Sequence, residues 1–397
     1  MTLRTSLFDR LAARRAERAR LSLVRRLRTI EAADGAHVTI DGKRLLNFAS
    51  NDYLGLAQHP ALREALFRAA GKWGVGATAA PLLGGRRDEH AALEESLARW
   101  TGRERALLFS DGWMANLGVV PALLGRGDLC VEDKLDHASL LDAARLSGAE
   151  LKRYPHADVD AARRRLESHP DAAALVASDG VFSMDGDVAP LAALAKLCRD
   201  AHATLMIDDA HGLGVLGPEG AGSAAEAGLS QDDAPILMAT LGKALGTAGA
   251  FVAGSAALID ALVQEARTFV YTTAMPTAIA AAARAAIDVA RFEGWRRDRL
   301  ARLVAHFRAG AIAQGWTLAD SRTPIQPVVI GASDAALAAS TLLEGAGFHV
   351  PAIRPPTVPA GSARLRITLC ALHAERDVDR LLDALRAIRA RMPKHGG

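Results

Sequence analysis

Lysine is scarce in this chain, with seven against 41 arginines, and one of the seven stands out by its setting. Lys243 lies in Thr240-Leu-Gly-Lys-Ala-Leu-Gly246, directly after the apolar run Pro235–Thr240. Desolvation lowers the pKa of an amine, and a neutral ε-amine is a nucleophile that forms an imine with an aldehyde. A lysine at the end of a strand also snorkels to solvent, and the residue alone leaves both readings open.

A second group, Asp208-Asp-Ala-His211, follows the apolar run Thr204–Ile207. An aspartate at a strand tip can keep a pyridinium nitrogen protonated, which makes a pyridoxal ring an electron sink, and His211 would then reach a neighbouring ring substituent. The same spacing reads as half a metal site or as a helix cap. No HExxH and no cysteine cluster supplies further ligands, so no metal is expected. Ser110-Asp-Gly-Trp-Met-Ala-Asn116 joins an apolar run to a helical pattern. A Gly at a helix N-terminus with free backbone N–H groups can bind a phosphate, though most strand-to-helix turns have the same pattern. Gly74-Val-Gly76 follows a helical stretch instead of a strand, so a nicotinamide-binding fold is not expected. His137 opens a helix in Leu135–Leu140 and serves either as a cap or as an aromatic face beside a planar cofactor.

These residues need elements to hold them. Apolar runs at 105–109, 173–178, 204–208, 235–240 and 248–253 alternate with helical patterns, which predicts an α/β fold with a mostly parallel central sheet covered on both faces. Ligands of such sheets sit beyond the carboxyl ends of the strands. An Ala-rich helix from Pro276 and a second helix to about Ala313 lead to a smaller α+β part. There a strand at 326–330, a helix at 334–346, a strand at 363–369 and a closing helix at 374–391 are expected. In the second strand Leu365, Ile367 and Leu369 alternate with Arg366 and Thr368, the pattern of a strand with one buried face. The expected division is an N-terminal arm at 1–45, a large domain at 46–285 and a small C-terminal domain at 286–397.

With 397 residues, half of them apolar and 23% charged, and a mean hydropathy of +0.09, the chain has ample material for a core. The longest uncharged apolar run, Ala244–Ile259, is interrupted by three glycines and is too short for a bilayer span. Cys130, Cys198 and Cys370 form no CxxC pair, and a reducing cytoplasm fits them. The whole chain carries +3 and residues 1–28 carry +7, which leaves −4 for the rest. A basic excess confined to one terminal segment argues against a nucleic-acid partner. Leu3, Leu7 and Leu11 make that segment an amphipathic helix. A transit peptide shares its arginine content but not its Asp9 and Glu17.

Taken in order, Asn47–Gly55, Leu135–Ser139, Asp179–Gly186, Asp208–Gly212 and Thr240–Lys243 resemble the α-oxoamine synthases, and the match covers nearly the whole chain. The resemblance implies the aspartate aminotransferase-like fold (PLP fold type I), pyridoxal 5'-phosphate as cofactor and a homodimer. Ala352–Pro359 and Ala363–Thr368 are most similar to the members of biotin biosynthesis. Those condense L-alanine with a pimeloyl thioester, on CoA or acyl carrier protein, to give 8-amino-7-oxononanoate, carbon dioxide and the free thiol. Members acting on glycine, such as glycine C-acetyltransferase or 5-aminolevulinate synthase, are the alternative. Carried over by position, Lys243 bonds the cofactor and shuttles protons, Asp208 pairs with the pyridinium, His211 contacts the ring hydroxyl side and His137 stacks on the ring. Gly112 and Trp113 cradle the phosphate, and Ser183 and Thr240 are further cofactor contacts. Arg354 is the clamp for the amino-acid carboxylate, with Thr357, Asn47, His137 and Arg20 as other substrate neighbours. The chain departs from the family pattern at Leu82 and Leu83, where small and serine residues are usual, and at Asp111 in the phosphate turn.

Overall fold

The computed structural model describes residues 6–390. Its contacts divide the chain into two units. One contains Asn51–Ser183 and Asp187–Leu300; the other contains the N-terminal segment up to Ser50, Met184–Gly186 and the chain from Ala301 onward. Against the expected boundaries near 45 and 285, the N-terminal segment therefore groups with the C-terminal part. The division at Leu300 falls inside the helix Trp295–Ala313.

The first unit is built on a seven-stranded sheet of β1 (Arg105–Phe109), β2 (Leu129–Asp133), β3 (Glu150–Tyr154), β4 (Ala174–Asp179), β5 (Thr204–Asp208), β6 (Ile236–Thr240) and β7 (Ala250–Gly254). Their order across the sheet is β1-β7-β6-β5-β4-β2-β3. Only β7 runs against its neighbours, being antiparallel to both β6 and β1. The expected α/β class with a mostly parallel sheet holds. The exception follows from the connection, since β6 and β7 are joined by a loop containing Lys243 instead of a crossover helix. β2, β4, β5, β6 and β7 are buried along nearly their whole length, as their apolar composition requires when helices cover both faces. Leu107, Met206, Met238 and Val252 pack on one face, and Val131, Val176, Leu205 and Ile207 on the other. Each such side chain contributes about 1.5–3 kcal/mol by leaving water.

The second unit begins with the helix Leu7–Arg20, whose first turn is capped by the Ser6 hydroxyl and none of whose residues is buried. Leu7 and Leu11 lie on it as expected, while Leu3 lies outside the described residues. The strands His37–Ile40 and Lys43–Asn47 form a hairpin, and the second pairs in parallel with Phe348–His349. Ile325–Gly331, Ala363–Thr368 and Ala352–Ile353 make a three-stranded antiparallel sheet, followed by the helix Glu375–Arg389. One expectation is corrected here. The strand Ala363–Thr368 is buried on both faces, not one. Its arginines are accommodated by pairing: Arg364 bridges to Asp185, and Arg366 donates to the Thr368 hydroxyl at 3.1 Å. Among the described residues no helix is long and apolar enough to cross a membrane.

Candidate active site

The carboxyl ends of β4, β5 and β6, with the turns after β1 and β2, surround a pocket in the first unit. Asp208 is the last residue of β5, level with Asp179 at the end of β4, and Thr240 is the last residue of β6. Lys243 follows in the loop to β7, which is closed by the Leu241 N–H on the Gly249 carbonyl and the Gly246 N–H on the Lys243 carbonyl. Gly112 and Trp113 open the helix Gly112–Leu123 after β1, and His137 caps the helix Ala138–Ser147 after β2. Gly112, Trp113, His137 and Ser183 line the pocket, as do Asp208, His211, Thr240 and Lys243. All eight residues expected around a cofactor are thus brought together.

Asp208 is buried, and its two oxygens accept from the Asn116 side-chain amide at 2.8 Å and from the Ala210 N–H at 3.1 Å. The Lys243 Nζ lies 2.9 Å from the His211 Nε2, and the other nitrogen of that ring lies 2.6 Å from the Tyr53 hydroxyl. The Thr240 hydroxyl donates to the Gly249 carbonyl and accepts from the Gly242 N–H. Asp111, the departure from the family pattern, turns its carboxylate onto the Met114 N–H at 2.8 Å as the helix cap. Asp179 is pushed well above the ordinary carboxylate range by burial first and by the nearby Asp208 second. Asp136, which accepts from the Asp179 N–H, is pushed up by burial and by Asp179 in turn.

The neighbour of Asp208 serves a different purpose. Asp209 is fully buried, accepts from the Ser223 N–H at 2.8 Å and the Ser223 hydroxyl at 2.6 Å, and anchors the loop that carries His211. Gly222, at a φ of +103°, approaches so closely that a Cβ would stand 2.0 Å from its carboxylate.

The other expected substrate contacts belong to the second unit. Arg354 donates to the carbonyls of Ser22 and Val24, and its Nε is buried without a hydrogen-bond partner. Thr357 is exposed and accepts from Arg25 at 3.3 Å. Asn47 ends the strand Lys43–Asn47 and accepts the Ala49 N–H. Arg20 ends the helix Leu7–Arg20 and is paired with Glu17.

Sequence reasoning named neither Tyr53 nor Asn116, Ser139 and Asp179 as site residues. Tyr53, Ser139 and Asp179 lie inside segments singled out for their order along the chain, and Asn116 inside the turn Ser110–Asn116 read as a phosphate site. The missing information was which side chain of the segment turns inward, and spacing alone does not carry it.

The fold and site define a class, and comparison with known proteins bears it out. The family described as aminotransferase class I and II matches residues 43–385, and the chain belongs to it. Within that family it is 56% identical over 380 residues to the 8-amino-7-oxononanoate synthase of Alkalilimnicola ehrlichii, covering 96% of each chain. To the protein of that name from Methylococcus capsulatus it is 57% identical over 358 residues, covering 90% of this chain and 92% of the other. Among solved structures it is similar to a variant of the serine palmitoyltransferase of S. paucimobilis with a bound PLP–myriocin aldimine, at a TM-score of 0.93 and 29% identity, covering 97% of this chain and 99% of that one. The 8-amino-7-oxononanoate synthase of Francisella tularensis is similar at a TM-score of 0.77 and 29% identity, covering 87% and 98%.

Proposed function

We propose that this chain is a pyridoxal-phosphate-dependent acyltransferase of biotin biosynthesis. It condenses L-alanine with a pimeloyl thioester to 8-amino-7-oxononanoate, with release of carbon dioxide and the thiol. The observation that carries the reading is one pocket holding a lysine amine, a buried strand-tip carboxylate and two imidazoles, in a chain more than half identical to enzymes of that name over most of its length.

The donor set suits the cofactor. Gly112 and Trp113 offer N–H groups at a helix N-terminus for a phosphate, the hydroxyls of Ser183 and Thr240 line the same pocket, and Asp208 supplies a carboxylate for a ring nitrogen. When bound, pyridoxal phosphate supplies an aldehyde carbon for the lysine and a ring able to take up an electron pair. Lys243 then provides the amine that removes and returns the proton at the alanine Cα, with His211 at 2.9 Å to orient it. Asp208, buried and hydrogen-bonded before substrate arrives, keeps the adjacent positive charge in place without reorganisation. The fork of Arg354 suits the carboxylate of the amino acid. Asn47, Thr357 and Arg20 are further substrate contacts in this reading.

The acyl group arrives on CoA or on acyl carrier protein, and the positive charge of residues 1–28 suits the anionic groups of either carrier. A homodimer in the cytoplasm completes the proposal, in keeping with three cysteines that form no disulfide. Borohydride reduction of the cofactor-loaded protein, followed by peptide mapping, is expected to mark Lys243. A label elsewhere, or none, overturns the reading. Assays of alanine and glycine against pimeloyl, acetyl and succinyl thioesters then fix the substrates. Preference for glycine with a short acyl donor would assign the chain to another α-oxoamine synthase.

A further inference from the structure

We propose that Asn116 and Ser139 are positioning residues that tie Asp208 to His137 and hold the His137 ring as its Nε2–H tautomer, so that the ring presents a proton donor to the pocket. The inference deepens the functional reading and rests on it only for what that donor would serve.

Asn116 is fully buried on the helix Gly112–Leu123, and its side-chain nitrogen lies 2.8 Å from Asp208 Oδ2 and 2.8 Å from Ser139 Oγ. A carboxylate oxygen accepts, so the amide must face it with its nitrogen, and both amide protons are committed. Ser139, buried at the start of the helix Ala138–Ser147, thus receives a hydrogen bond at its hydroxyl oxygen. The hydroxyl has one proton of its own, and His137 Nδ1 stands 2.7 Å away to take it. The Ser139 N–H donates to the same nitrogen at 3.3 Å. A ring nitrogen that accepts from two donors carries no proton, which leaves the single proton of a neutral imidazole on Nε2. Desolvation by the surrounding protein lowers the His137 pKa, against the pull of Asp208, and keeps the ring neutral.

A helix cap alone does not require this arrangement. The backbone bond from Ser139 to His137 already caps the helix, yet the serine hydroxyl and the asparagine are added behind it. The asparagine stands there with its carbonyl oxygen buried and without a hydrogen-bond partner. An apolar residue of the same size would fill the space without that penalty. The amide is explained by its two donors, one to each side of the pocket.

The test reads the ring directly. Long-range proton–nitrogen correlation spectra of the full-length ¹⁵N-labelled protein, with and without added pyridoxal phosphate, report which nitrogen of His137 is protonated. Nε2–H alone is expected in both. Ser139→Ala and Asn116→Leu are expected to bring in the Nδ1–H form, with a fall of about tenfold in kcat/KM, and Ser139→Thr is expected to restore the wild-type signal. A proton on Nδ1 in the wild-type protein overturns the proposal, as does an unchanged tautomer in a folded Ser139→Ala variant. The wild-type spectrum needs no variant to fold. Borohydride labelling does not depend on the tautomer, so failure here is distinct from failure of the proposed activity.

Discussion

His156 offers a quantitative test of how the pocket's wall is held. Its ring lies between Asp133 at the end of β2, at 3.1 Å, and Asp187, at 2.8 Å. It meets the ring of Phe182 edge-on with centroids 4.4 Å apart, next to the pocket residue Ser183. Burial opposes charge on this imidazole, but hydrogen bonds and attraction from the two carboxylates prevail and push it up to about 10. A group titrating near 10 when folded and near 6.5 when unfolded adds roughly 4 kcal/mol at pH 7 by linkage. The side chain retains 31% exposure, and solvent screening brings the expectation to about 2 kcal/mol. Because the folded value is raised, this stability is complete below pH 6.5 and is lost as pH rises through 10. His156→Gln should therefore melt about 2–3 °C below wild type at neutral pH, as the large unfolding entropy of a chain this long requires. The gap should close at a pH above 10. Thermal melts of both proteins across that range check it. A gap of equal size at both ends would show that packing against Phe182, and not charge, is the source.

Three further outcomes follow from the same geometry. Asp208→Ala leaves one of the two Asn116 amide protons without its acceptor and should lower kcat by a factor of about 10² or more, while borohydride still labels Lys243; steady-state rates and peptide maps report the two halves. Tyr53→Phe removes the hydroxyl 2.6 Å from His211 Nδ1 and should cost about 1–3 kcal/mol in denaturant-unfolding stability. Gly222→Ala combines a φ of +103° with a Cβ 2.0 Å from the Asp209 carboxylate. It should destabilise by about 3 kcal/mol, seen as a fall in melting temperature together with weaker cofactor binding measured by absorbance titration.

The legible part of this molecule is the part where one residue meets one element. Lys243 and Asp208 could be read because each follows an uninterrupted apolar run, and such a run in an α/β chain aims its last residues at a ligand. β2 was missed as a strand because it carries Cys-Val-Glu-Asp. The ionisable Glu132 within it is fully buried, and burial pushes it up to about 7, a state that propensity gives no hint of. β3 was missed for the opposite reason: it lies at the sheet edge and is polar and only partly covered. The reversed direction of β7 and the covering of both faces of Ala363–Thr368 depend on contacts between distant segments, which periodicity within one segment cannot report. The same holds for Tyr53, whose partner His211 lies 158 residues away.

All three cysteines are buried and outside any disulfide, and burial pushes Cys130 well above its ordinary value and Cys198 up to about 12. Thiolate, the form that reacts with maleimides, is thereby suppressed at these two, and Cys370 is shielded by burial. A single cysteine introduced at an exposed position, such as Leu146, becomes the one efficient attachment point for a fluorophore. Docking of the proposed acyl carrier, and subunit exchange in the proposed homodimer, can then be followed optically without first stripping the native sulfur atoms from the chain.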